Sequence, residues 1–446
     1  MITDQQGNRL SGATAQAAEH YNEAQVSFAL YRGDPLAMVD RAIETAPNFA
    51  MAHILKAYML GVATEPAANE YAKEIVDKLS SMRLDDREAS HTHALELMLD
   101  GGWTAAAQAL DMHNVNYPLD MVAVHAGHLL DFYRGCARDL RDRVARVLPA
   151  WSPDIPGYSL LLGMYAFGLE EAADYTKAEE KGRRAIELQP LDSWAHHAVA
   201  HVMEMQGRTQ EGLDWMTIRK PYWADDDNFF KVHNWWHHAV YLLDLGRGHE
   251  ALALYDSRIR VNQSQIALEL VDASAMLWRL HLAGVDVGER WSEVANCWEP
   301  HADGNSYPFN DWHAVMAYLG AGRDNDIECN LLELRRKGSE DSEIAQWARL
   351  TAIPLIEGFT AFWRQDYQTA AEKLHGARFI VDRFGGSHAQ RDIIDLTLME
   401  AAIRGGYSNL ATGLTNERLA LKPSSHANAN FLKRIHHLNK GSSKAA

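Results

Sequence analysis

Apolar residues recur at i, i+3, i+4 and i+7 along most of this 446-residue chain, and runs of alternating polarity are nearly absent. HILKAYML from His53 and EKLHGARFIVDRF from Glu372 are examples. The 13 prolines fall between such segments. Each segment therefore reads as a helix with one apolar stripe, ended where proline removes a backbone donor. The pattern predicts an all-α chain.

The segments repeat. Pro47-Asn48-Phe49-Ala50, Pro118-Leu119-Asp120-Met121 and Pro190-Leu191-Asp192-Ser193 open alike, each with Asn or Asp set to cap a helix. Ala178, Ala185 and Pro190 have the spacing of the second helix of a tetratricopeptide repeat, and Ala42 and Pro47 match its end. Small alanines there let paired helices approach closely. NWWHHAVYLLDLGRGHEALALYD from Asn234 and NDWHAVMAYLGAGRDNDIE from Asn310 each read as helix, turn, helix, with Gly246 and Gly322 at the left-handed closing position. The expectation is degenerate tetratricopeptide-like hairpins stacked as one right-handed superhelix, an α-solenoid. A polar arm over 1–20, one continuous solenoid over 21–436 and a loose tail over 437–446 complete the reading.

Composition narrows the function classes. Lys and Arg total 43 against 60 Asp and Glu, a formal charge of −17, which argues against a broad nucleic-acid footprint and against an anionic membrane surface. The longest apolar runs, such as LLLGMYAFGL from Leu160, are too short to span a bilayer. Cys136, Cys297 and Cys329 are far apart and form no CxxC, so no disulfide framework or thiolate zinc site is expected and a reducing cytoplasm fits. A homo-oligomer remains open at this stage.

Histidine outnumbers phenylalanine, 22 to 12. His197, His201 and Glu204 lie at i, i+4 and i+7 on one stripe of an otherwise apolar helix capped by Asp192. His233 and His237 repeat the i, i+4 spacing on a later first helix, beside Asn234 and Trp236. Asp272 stands in an apolar run, and Asn310 and Asp311 precede His313. One reading is an enclosed small-molecule pocket of hydrolase or lyase type. His197, His201, His233, His237 and His313 then move protons, Glu204 and Asp272 orient them, and His128, Asn234, Trp236, Asn310 and Arg391 bind the substrate. The other reading of each histidine is a core side chain satisfied by a carbonyl. A third is a scaffold whose concave face takes a peptide or protein. No cofactor is expected, because HAVAH lacks the glutamate of HExxH and no cysteine accompanies the histidines. Were zinc or another divalent ion held, His197, His201, Glu204 and His237 would be its ligands.

Several stretches, in order from about residue 30 to 435, together resemble the tetratricopeptide repeat protein 38-like proteins. They are Arg87-Glu88 with His91, His128 before Phe132-Tyr133-Arg134-Gly135, and Trp151 with Pro153-Asp154-Ile155-Pro156. Trp194, His197, Val199-Ala200-His201 and Glu204-Met205 follow, then His233-Asn234 and Trp236-His237. Val271-Asp272, Ser274, Met276-Leu277 and Arg279-Leu280 come next, then Phe309-Asn310-Asp311 with His313. Gly385-Gly386-Ser387, Ala389-Gln390-Arg391-Asp392 and Leu421-Lys422-Pro423 close the series. The chain departs from the pattern at Trp235 and His238. The resemblance implies a helical-repeat superhelix and no particular activity.

Overall fold

The computed structural model describes residues 2–442. They are helical, without a named strand; two isolated bridges, Thr3 to Arg9 and Arg32 to Asn228, are the β-type pairings recorded. The all-α reading holds. Helices follow one another as hairpins, Tyr158–Glu171 with Tyr175–Leu188 and Ile353–Trp363 with Tyr367–Ala377 among them.

Local sequence explains the boundaries. Asp120 and Asp192 cap as expected, Asp192 Oδ1 accepting the Ala195 amide at 2.9 Å. At the first of the three repeat starts Phe49, not Asn48, holds the cap position, and no side chain caps that helix. Ala42, Ala178 and Ala185 are fully buried. Gly246 and Gly322 have φ of +75° and +68°, the left-handed turn their hairpins need. The helix read through Glu372–Phe384 stops at Ala377, and a 3₁₀ turn covers Val381–Phe384. At the ends, the first helix already starts at Ala15, inside the expected arm, and the last runs His426–Ser442, through most of the expected tail. Residues 443–446 of that tail lie outside the described residues.

Where the sequence suggested one body, packing divides the chain in two. The first unit runs to Val199 and takes back Pro221–Lys231; the second is Ala200–Lys220 with Val232 onward. The first is built on Met121, Val144, Leu161, Phe167 and Trp194. Two charge clusters are buried in it. Arg143 Nε donates to Asp131 at 2.7 Å. Asp120 accepts from Arg87 Nη1 at 2.6 Å, His91 Nε2 at 3.0 Å and His113 Nε2 at 3.1 Å.

In the second unit Trp236, Trp278, Trp298 and Trp312 are fully buried. Each large side chain removed from water contributes about 1.5–3 kcal/mol. Trp278 lies 4.8 Å from the Phe359 ring and donates Nε1–H to Thr397 Oγ1 at 3.0 Å, 119 residues away. This unit also returns on itself. Ser424 Oγ donates to the Gly207 carbonyl at 2.9 Å across 217 residues, and Ser425 Oγ donates to Asp244. The approach is close enough that a Cβ on Gly207 (φ +67°) would stand 3.2 Å from Ser424 Oγ. A helical stack whose last hairpin meets its first frames a recess between them.

Candidate functional site

That space is a cavity of about 630 Å³ inside the second unit. Its wall is charged. Glu204, Asp244, Asp392 and Glu400 face it with Arg279, Arg418, Lys422, Lys433 and Arg434. Five cations and four carboxylates thus share the wall in a chain of net charge −17. Arg418 donates to both oxygens of Asp392, at 2.6 and 3.2 Å. Those neighbours hold the Asp392 carboxyl far below its ordinary range despite burial. Glu400 is matched by Arg404 Nε at 2.8 Å and by Arg434 Nη2 at 2.9 Å.

Arg279 is the exception. It is 5% exposed, donates Nη2 to the Ala389 carbonyl, and reaches no nearer than 3.9 Å to Asp392. Its Nε has no hydrogen-bond partner. Burial outweighs Asp392 and Glu204 and lowers its pKa, so the charge is under-compensated. Its guanidinium lies 5.4 Å over the Trp236 ring.

Against this wall stands an array of titratable side chains from three helices, Ser193–Met205, Lys231–Asp244 and Ala267–Leu282. His233 Nδ1 donates to Asp272 Oδ1 at 2.8 Å and Oδ2 at 3.0 Å. His233 Nε2 and His237 Nε2 are 3.2 Å apart. His237 Nδ1 is 3.3 Å from Glu204 Oε2, and Glu204 Oε1 is 3.7 Å from Lys422 Nζ. The His201 and His237 rings lie 4.5 Å apart. Trp236 stacks on His233 at 5.5 Å with planes 7° apart and holds that ring in place. Asp272, His233, His237, Glu204 and Lys422 thus form a continuous line ending at the cavity.

The remaining sequence-selected residues do not line the cavity. His197 belongs to the first unit, its ring 5.4 Å from Phe167 and 5.1 Å from Phe230. His128 is fully buried there, edge-on to Trp194 at 5.7 Å, and burial holds it neutral. It borders a small void of about 10 Å³ with Tyr31, His125 and Asp192. Asn234 and Asn310 are buried on helices of the second unit and do not line the large cavity. His313 donates Nδ1–H to the Phe309 carbonyl at 2.8 Å, a core role, and burial lowers its pKa to about 3. Arg391 reaches back to the carbonyls of Gly385 and Gly386, while its neighbour Asp392 faces the cavity.

Asp311 yields a separable expectation. Burial, reinforced by Asp303, pushes its carboxyl up to about 7. Oδ1 accepts from Gly304 N at 2.9 Å and Asn330 Nδ2 at 2.6 Å, and Oδ2 has no partner. The native state keeps this proton up to neutrality, while the unfolded chain loses it near pH 4. Its contribution is complete below pH 4 and lost as pH rises through 7. The stability of Asp311→Asn relative to the unsubstituted protein should therefore improve by about 2–4 kcal/mol between pH 4 and pH 8. Urea titrations at the two pH values measure it, and a constant difference would refute the assignment.

No family model matches the chain. Solved structures resemble it at low identity. The Cut9–Hcn1 hetero-tetramer of APC/C is 14% identical over 94% of this chain and 76% of the other, with a TM-score of 0.43. Human IFIT1 as a dimer with PPP-AAAA is 13% identical over 94% of each chain, with a TM-score of 0.42. The same protein with m7Gppp-AAAA is 14% identical over 98% and 96%, with a TM-score of 0.44. This chain is an all-α protein of successive helical hairpins. No helix among the described residues is long and apolar enough to cross a membrane. The net-charge argument against nucleic acid needs narrowing. A charge of −17 speaks only to a broad footprint.

Proposed function

We propose that this chain is a helical-repeat binding protein whose second unit takes a small anionic molecule into its charged cavity. The observation that supports this best is Arg279, a buried guanidinium short of counter-charge on the wall of a 630 Å³ space. That volume lies within the range of small-molecule pockets. A carboxylate or phosphate on the ligand would supply the missing charge with the directional hydrogen bonds that guanidinium favours. The finer form of the proposal is acid/base chemistry of hydrolase or lyase type, in which the histidines move protons and Glu204, on the cavity wall, orients them.

The repeat architecture itself supports the scaffold reading, since stacked helical hairpins commonly bind peptides and proteins. The two readings share the term binding and differ in ligand size. The contact of the last hairpin with the first bounds the recess and favours a compact ligand over an extended one. Resemblance to the tetratricopeptide repeat protein 38-like proteins belongs with this proposal and adds no substrate. A reducing, cytoplasmic setting and freedom from membranes likewise belong here as expectations.

The test is thermal unfolding in millimolar citrate or inorganic phosphate, against spermidine and glucose at equal concentration. The proposal expects saturable stabilisation by an anion and none by the other two; a concentration of 100 Kd would add about 2.7 kcal/mol. Equal response to all four, or none, would count against it.

A further inference from the structure

The histidine line converges on one point. A ring nitrogen facing a carboxylate carries its proton, so Asp272 fixes the proton of His233 on Nδ1 and turns its Nε2 toward His237. The two Nε2 atoms are 3.2 Å apart, and Glu204 Oε2 lies 3.3 Å from His237 Nδ1.

A shared proton would satisfy two nitrogens. Here a third ring takes part: His201, His233 and His237 each bring one ring nitrogen within 4.8 Å of the others. Three converging imidazoles exceed what a proton needs and match the protein ligand count of an open zinc site. Zn–N bonds of about 2.0–2.1 Å place two ligands of a tetrahedral ion about 3.3–3.4 Å apart. The outer arrangement matches as well. Metal-bound histidines usually donate their second N–H to a carboxylate, which fixes the tautomer and raises ligand basicity. Asp272 occupies that place behind His233, and Glu204 stands at ion-pair distance from His237.

We infer that His201, His233 and His237 bind one divalent transition-metal ion, zinc by preference, with Asp272 and Glu204 as its outer carboxylates. This is independent of what the cavity holds. The sequence argued against a metal because HExxH and cysteine are missing, but three histidines from two helices need neither. Glu204 becomes an orienting group, not a ligand. His91, His113 and Asp120 form a second group of possible ligands, but Arg87 lies 2.6 Å from the Asp120 carboxylate and already places a cation there.

The experiment strips the full-length protein with a chelator, adds zinc, and counts ions per chain after gel filtration with a weak competitor present. Cobalt(II) replaces zinc in parallel as a spectroscopic probe. One zinc per chain and the visible absorption of low-symmetry four-coordinate cobalt are expected. His237→Ala and His201→Ala should lose both. Asp272→Asn keeps all three ligands and should weaken zinc affinity 10–100-fold with the helical content unchanged, which covers the case where a histidine variant fails to fold. Two results would overturn the inference: no zinc retained by the unsubstituted protein, or zinc retained equally by the histidine variants, which places the ion among other histidines.

Discussion

Replacing Asp120 with alanine should destabilise the protein by about 3–5 kcal/mol. One carboxylate here serves Arg87, His91 and His113, all buried, and its second oxygen caps the helix Met121–Tyr133. Removing it leaves a guanidinium uncompensated in the interior and two imidazoles without an acceptor. Loss of the cap adds about 1 kcal/mol. The pH dependence carries the same signature. Asp120 is held well below the ordinary carboxylate range by His91 and Arg87 against the cost of burial, so its contribution is present above the unfolded value and lost as pH falls. Burial lowers His91 to about 4, and neutral His91 adds a second loss as pH falls from about 6.5 to 4. Asp120→Asn keeps the shape and the cap but not the charge, and should fall between the two proteins. Urea titration at pH 7 followed by tryptophan fluorescence measures all three. A loss under 1 kcal/mol for Asp120→Ala would mean that the cluster contributes little.

Arg279→Gln should produce the largest functional change. Truncating one partner of a buried charge pair costs about 2–5 kcal/mol of binding, so affinity for an anionic ligand should fall about 30-fold or more. Stability should move little in the free protein. Arg279 holds its charge against burial with only a distant carboxylate, and glutamine removes that cost while giving up one hydrogen bond, about 1 kcal/mol. Calorimetric titration with the anion identified by thermal unfolding, together with urea titration of the free variant, separates the two effects. Intact affinity in a folded variant would remove Arg279 from the site.

What the sequence could reveal follows from the range of its signals. Helical spacing is local, so the hairpins, the buried alanines and the turns at Gly246 and Gly322 were legible. So was the pairing of His233 and His237 at i, i+4, and the isolation of Asp272 and Glu204 on apolar faces. The cavity was not. Arg279, Asp392, Arg418 and Lys422 come together only because the last hairpin returns to the first, and no local pattern marks a contact across 217 residues. Arg391 lies in the first turn of the right helix, His388–Arg404, yet the adjacent Asp392 faces the cavity. The available hint was Arg279 itself, one cation inside the apolar run AMLWRLHL. His128 and His313 show the opposite case: histidine in an apolar helix is often a neutral core residue, as burial makes both here.

The most direct measurement of the central claim is equilibrium dialysis of the full-length protein against a defined mixture of small metabolites, read by mass spectrometry. The comparison is Ala427→Trp, which projects an indole from the cavity wall without removing a charged group. The account predicts that one anionic metabolite, or a few related ones, is enriched by the unsubstituted protein and not by Ala427→Trp. Enrichment of none, or equal enrichment by both proteins, would contradict it.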